Sequence, residues 1–212
     1  MQKFFCRSGE RVLMLIHGYA TRILRVNLTS QKLHVEEPSK PILNAFLGGR
    51  GVATKLLYEE VPAGVPPLDA RNKLILMTGP LTGTAAPTAG RYDVVAKSPL
   101  TSLFGAASAG GHFGAELKFA GYDGVIIEGV AAKPTALVIR DGGVEFRDAS
   151  HLWGRPASET EKILKEDLGD FEAKIACIGV AGENLVKFAA IISERAHAAG
   201  RTGLGAVMGA KK

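Results

Sequence analysis

Apolar and polar residues alternate or cluster in short runs at 21–27, 33–37, 73–77, 91–96, 124–128, 136–140, 144–147, 174–178 and 187–193, and each run predicts a β-strand. Helical spacing is rarer, at 42–46, 52–60, briefly at 116–119, and at 158–168. Asp141-Gly-Gly143 between two of the strand runs predicts a hairpin turn. Ser158-Glu-Thr-Glu161 has the form of a capping box, and Gly169 is placed to stop the helix it opens. Gly79-Pro-Leu-Thr-Gly83 is echoed by Ser98-Pro-Leu-Thr-Ser102, two Pro-containing turns that each leave a strand. No linker or low-complexity stretch divides the chain. The pattern predicts one α+β domain, mostly antiparallel sheet with a few peripheral helices.

Composition narrows the class. The chain has 212 residues, 46% hydrophobic and 22% charged, enough for one large core or two small ones. No apolar run reaches the roughly 18 residues that a bilayer span needs. The basic first residues lead into an apolar run at 12–16 that is too short for a secretory signal, so a cytoplasmic protein is expected. The net charge of +5 sits largely at the two ends: residues 1–25 hold five Lys/Arg and one Glu, and the chain ends Lys211-Lys212. The remaining body is close to neutral and lacks a basic stripe with interleaved aromatics, which argues against nucleic acid as a partner. Cys6 and Cys177 cannot supply a four-thiolate cluster or a structural zinc site. Cys177 lies in an apolar strand-like run and reads as a buried hydrophobe.

Two glycine-rich segments stand out, Ser108-Ala-Gly-Gly-His-Phe-Gly114 and Ala198-Ala-Gly-Arg-Thr-Gly-Leu-Gly-Ala-Val-Met-Gly209, with Gly90-Arg91-Tyr92 ahead of both. Glycines allow close backbone approach while Arg and Ser/Thr supply donors, so the combination reads as an anion cradle. Common phosphate motifs are excluded by spacing. The segment 203–209 is one residue too long for G-x-G-x-x-G, and Gly209-Ala-Lys211 lacks the ending of a P-loop. There is no G-x-S-x-G and no H-E-x-x-H, and the five His residues are widely spaced. His112 and His197 fall inside the glycine segments, whereas Glu116 and Glu183 adjoin glycine turns, where each is expected to cap or pair with backbone. Arg91 follows a Gly and opens a strand, which places a five-donor guanidinium at a sheet rim.

Taken together, Phe46-Leu-Gly-Gly-Arg-Gly51, Thr78-Gly-Pro-Leu-Thr-Gly-Thr84, Ala86-Pro-Thr-Ala-Gly-Arg-Tyr92, Phe113-Gly-Ala-Glu-Leu-Lys-Phe-Ala-Gly-Tyr-Asp123, Ala181-Gly-Glu-Asn-Leu-Val-Lys-Phe-Ala-Ala190 and 198–209 resemble the N-terminal domain of the tungsten-containing aldehyde ferredoxin oxidoreductases. The resemblance runs from about residue 18 to the end. It implies a double β-sheet base on which a tungstopterin sits, a bis-molybdopterin carrying tungsten or molybdenum. It also implies aldehyde oxidation to carboxylic acids with ferredoxin as electron acceptor, and a 4Fe-4S cluster housed in later domains or a partner subunit. Carried over by position, the cofactor contacts fall on Arg91, Ser108, Gly110, His197 and Ala198, with the backbone carbonyls of Ser108 and Ala198 on a magnesium ion that bridges the pterin phosphates.

Two positions depart from the family pattern. Ser108 stands where Asn is typical, which matters little if only the carbonyl acts, because magnesium needs oxygen and no particular side chain. His197 stands where Arg is typical, and the exchange removes a permanent charge and a bidentate fork. Residues 1–17 form an extra basic leader expected to be disordered, and Met14 lies close to where family members begin. The resemblance implies that the chain is inactive without cluster-binding domains or a partner, and it is compatible with a homo-oligomer. The competing readings are a stand-alone assembly or interaction module that kept the fold, and a phosphate- or nucleotide-binding module unrelated to redox.

Overall fold

The structure, a computed structural model, describes residues 3–7 and 18–212. Its strands sort into two six-stranded sheets. The first runs β12 (His197–Ala199), β11 (Ile191–Ser193), β10 (Lys174–Cys177), β1 (Lys3–Arg7), β8 (Thr135–Arg140) and β9 (Gly143–Asp148). The second runs β3 (Lys32–Glu36), β2 (Ile23–Asn27), β7 (Gly124–Glu128), β4 (Leu74–Thr78), β5 (Tyr92–Lys97) and β6 (Phe104–Ala109). Around them lie α1 (Lys40–Phe46), α2 (Gly49–Glu60), α3 (Phe113–Phe119), α4 (Ala157–Leu168), α5 (Val180–Glu183) and α6 (Leu204–Lys211). Among the described residues only β1 with β8 and β2 with β7 pair parallel, so the expected double sheet, mostly antiparallel, is what forms.

The strand pattern explains the layers. Leu24 and Val26 of β2, Leu74 and Leu76 of β4, and Val125 and Ile127 of β7 point into one large core, which they share with Leu137, Ile139, Ile175 and Ile191 of the other sheet. The intervening Ile23, Ile75, Met77, Val95 and Ile126 point the other way, where Val52, Ala53, Leu56 and Leu57 of α2 cover them. The central strands of the second sheet are therefore buried on both faces. This is why β4 reads Leu-Ile-Leu-Met-Thr without polar alternation. Each such side chain contributes about 1.5–3 kcal/mol of burial.

Several elements match the local signals. The Asp141-Gly142 turn has φ of +50° and +79°, the conformation of a two-residue hairpin between β8 and β9. Gly169 ends α4 in the left-handed region. The capping box does not form, because α4 starts at Ala157 behind Pro156, which puts Ser158 inside the helix and pairs Glu161 with Lys165 at 2.8 Å. Of the run at 187–193 only β11 is strand.

The expectation of a disordered leader needs correction for Lys3–Arg7. These residues form β1, parallel to β8 and antiparallel to β10, and fill a slot that would otherwise leave two backbone ladders open. Residues 1–2 and 8–17 of that leader lie outside the described residues. Among the described residues no helix is long and apolar enough to cross a membrane.

Candidate functional site

The two sheets meet where their edge strands β6 and β12 come together. Edge strands carry backbone N–H and C=O groups that no ladder uses, so this seam presents a line of polar backbone. Three ties hold it. Tyr92 Oη bonds Ser193 Oγ at 3.3 Å, and Ser98 Oγ donates to the Thr202 carbonyl at 2.7 Å. The Glu194 carboxylate accepts the backbone N–H of His112 and, at 2.8 Å, that of Phe113, and it lies 3.0 Å from His112 Nδ1. Burial pushes the Glu194 carboxyl up, but these hydrogen bonds outweigh it and hold the group below its usual range. Burial pushes the Tyr92 hydroxyl pKa up, so it stays protonated.

A cleft of about 720 Å³ opens along this seam, lined by Arg50, Arg91, Phe104, Ala106, Ala107, Ser108, Ala198, Gly200, Arg201 and Thr202. Its lining carries three guanidiniums and no carboxylate. Arg50 arrives from the first turn of α2, Arg91 from the residue before β5, and Arg201 from the loop after β12. The Ser98 turn anchors that last loop through Thr202, while the similar turn at 79–83 is not part of the lining. Among the described residues no three His, Cys, Asp or Glu side chains gather as a metal site, so a hard cation here would rely on backbone oxygen.

Of the residues picked from sequence, Arg91, Ser108 and Ala198 line the cleft. Ser108 lies opposite Asp93 in the β5–β6 ladder, and Ala198 opposite Ile192 in the β11–β12 ladder. Gly110 and His197 do not line it. They sit beside it, against each other: a Cβ on Gly110 would lie 3.4 Å from His197 Nδ1, and the imidazole also packs over Gly111. His112 is spent on Glu194. Glu183 accepts the Gly154 N–H at 2.7 Å, a pairing with backbone of the kind expected of it.

The glycine segments divide between cleft and core. Ala198 and residues 200–202 reach the cleft, but Leu204–Lys211 is the helix α6, buried over most of its length. A Cβ on Gly203 would run into the Lys187 carbonyl and one on Gly209 into the Gly182 carbonyl, so these glycines serve backbone packing and not anion binding. Of the charged cleft residues, Arg50 and Arg201 were not picked individually from the sequence, although Arg201 lies in the second glycine segment. The signal for Arg50 was the Gly48-Gly-Arg-Gly51 entry to α2, which sets an Arg on the first turn of a helix aimed at the sheet edge.

Comparison with known proteins agrees with this architecture. Residues 23–212 match the family model described as aldehyde ferredoxin oxidoreductase, N-terminal domain. The chain is 53% identical over 196 residues to the tungsten-containing aldehyde ferredoxin oxidoreductase of Pyrococcus furiosus, with 92% of this chain and 32% of that protein covered. It is 38% identical over 211 residues to the aliphatic sulfonate oxidoreductase, WOR-like subunit, of the same organism, covering 92% of this chain and 34% of that protein. Among solved structures, the active site complex BamBC of benzoyl coenzyme A reductase with 1,5-dienoyl-CoA superposes with a TM-score of 0.90 at 40% identity, over 92% of this chain and 30% of that one. The chain therefore spans about a third of the length of the curated relatives it matches. It belongs to the aldehyde ferredoxin oxidoreductase N-terminal domain family.

Proposed function

We propose that this chain is the cofactor-seating base of a tungstopterin or molybdopterin oxidoreductase that oxidises aldehydes to carboxylic acids with ferredoxin as electron acceptor. The observation that carries the reading is the cleft at the β6–β12 seam, with three guanidiniums, no carboxylate and exposed backbone in its wall. Those residues fit a ligand that ends in phosphates. Guanidinium forks bind phosphate oxygens in pairs, and Gly200, whose nearest obstacle to a Cβ is Ala198 Cβ at 3.7 Å, leaves the backbone approachable.

In this reading Arg91 would hold a phosphate, and the carbonyl oxygens of Ser108 and Ala198 would hold a magnesium ion. Gly110 and His197 close the border of the seat. The Ser108 hydroxyl is already committed to Asp93 at 2.6 Å, which leaves the carbonyl as its available group. The bound tungsten or molybdenum supplies the two-electron chemistry. This domain positions the cofactor and excludes water from its underside.

Cluster ligands and substrate pocket belong to the part of the relatives this chain does not span. The groove beside the cleft supports their docking here. Leu57, Tyr58, Val61, Leu103 and Phe104 line it, and Tyr58 is 85% exposed and Leu103 70%. That relatives include proteins named for an aldehyde and for a sulfonate supports a reading in which substrate choice is made outside this domain. The test is elemental analysis of protein purified anaerobically from its native host. Stoichiometric tungsten or molybdenum with iron, together with a larger cysteine-rich polypeptide, supports the proposal. Metal-free solitary protein overturns it in favour of a non-catalytic module.

A further inference from the structure

We infer that Arg50 and Arg201 complete, with Arg91, a three-guanidinium clamp for two phosphate groups in the cleft, and that Asp93 acts as a positioning residue for Arg50. The inference rests on the reading of the cleft as the seat of a phosphate-bearing cofactor, and it adds residues to that seat.

Arg50 is held at two points. Its backbone N–H donates to Asp93 Oδ2 at 3.1 Å, and its Nη2 donates to Asp93 Oδ1 at 3.2 Å and to Ser108 Oγ at 2.9 Å. Ser108 in turn donates to Asp93 at 2.6 Å. An Arg whose whole task was to neutralise Asp93 would turn two nitrogens of its fork to the carboxylate. Here the side chain offers Asp93 only Nη2. Nε and Nη1 have no acceptor among the described residues, and the side chain is 53% exposed at the cleft wall. The guanidinium is therefore fixed in place with donors to spare, the condition for binding an anion at low ordering cost.

Arg91 and Arg201 are exposed, and the side chains of both lack an acceptor among the described residues. The three reach one cleft from three origins: Arg50 from the helix that covers the second sheet, Arg91 from that sheet's β5, and Arg201 from the far end of the first sheet's edge. Three like charges converging without a carboxylate in the lining repel one another, and a polyanion relieves that repulsion. One phosphate would occupy one fork or two. Three forks in about 720 Å³ match a pair of phosphates.

The experiment is titration of the purified chain with inorganic pyrophosphate by calorimetry at low ionic strength, where screening is weak. Wild type is compared with Arg50→Gln, Arg201→Gln, Arg50→Lys, Arg91→Gln and, as a control on the exposed β11–β12 turn, Arg195→Gln. Arg50→Gln and Arg201→Gln should each weaken binding by about tenfold or more, the size of a lost charge-assisted hydrogen bond. Arg50→Lys should fail to restore it, since a point charge cannot bond Asp93, Ser108 and phosphate in one plane. Arg195→Gln should bind as wild type, and all variants should melt like wild type. If Arg91→Gln weakens binding while Arg50→Gln and Arg201→Gln match wild type, the clamp is wrong and the cofactor seat stands. If wild type itself fails to bind pyrophosphate, the reading of the cleft falls and the clamp falls with it.

Discussion

Glu194 of the first sheet's hairpin accepts the backbone N–H of Phe113, at the entry to α3, over a distance of 2.8 Å. The two residues are 81 positions apart, so one carboxylate bolts the β11–β12 turn to the loop that leaves the second sheet. The bolt also explains a conformational oddity. Glu194 and Arg195 have φ of +49° and +63°, a left-handed strain that the hydrogen bonds to His112 and Phe113 offset.

Glu194→Gln should therefore cost about 1–3 kcal/mol in denaturant unfolding at neutral pH, because a charged acceptor to two backbone donors is lost. The carboxyl is held below its ordinary value of 4.5, so its contribution is complete above that value and fades as pH falls through the lower folded value. The gap between wild type and Glu194→Gln should narrow at acid pH. A gap that stays constant from pH 7 into the acid range would remove the charge from the explanation.

Lys211 gives a slope of the same sign in the alkaline range. Its buried ammonium donates to the Asn72 carbonyl at 2.6 Å and to that of Gly129 at 3.2 Å, yet burial brings its pKa down to about 8 from 10.5. Between those values the unfolded chain binds the extra proton, so stability should rise with pH across this window, by on the order of 3 kcal/mol. Lys211→Met should lose that rise. Parallel melts of the two proteins at pH 8 and pH 10.5 read the difference directly.

Among the glycines, Gly209→Ala should lower stability by about 3 kcal/mol or prevent folding, since the added methyl meets the Gly182 backbone where α6 packs on α5. Gly110→Ala should be tolerated by the fold, its Cβ coming no nearer than 3.4 Å to His197. Thermal melts of both variants check this contrast. Comparable losses would mean that the two glycines share one role.

Arg91→Ala should leave the melting temperature unchanged, because the side chain is exposed, and should weaken pyrophosphate binding by about 1.5–3 kcal/mol. Calorimetry on the same preparation reads both. Unaltered affinity would take Arg91 out of the site.

The fold was legible where residues speak through side-chain periodicity. β2, β4, β5, β7 and β8 each carry at least two Val, Ile or Leu, and the Asp141-Gly142 turn announces its hairpin. Elements made of small residues were silent. β6 is Phe-Gly-Ala-Ala-Ser-Ala, with no β-branched residue, and takes its conformation from pairing along all of β5. α6 hid behind glycines that local propensity scores against a helix, though tertiary packing requires them. The site followed the same rule. Arg91 was visible beside its glycine, whereas Arg50 gains its place only when α2 is laid against Asp93, a contact across 43 residues that no local motif encodes.

Because the cleft straddles the joint between two separate sheets, its width is a mechanical variable. Ser108 rides on one sheet and Ala198 on the other, so a ligand that grips both acts as a splint across the joint. Occupancy should then be written into the backbone on both sides of the joint: amide exchange along β6 and β12 slows in concert when the seat is filled, and the domain stiffens as one body.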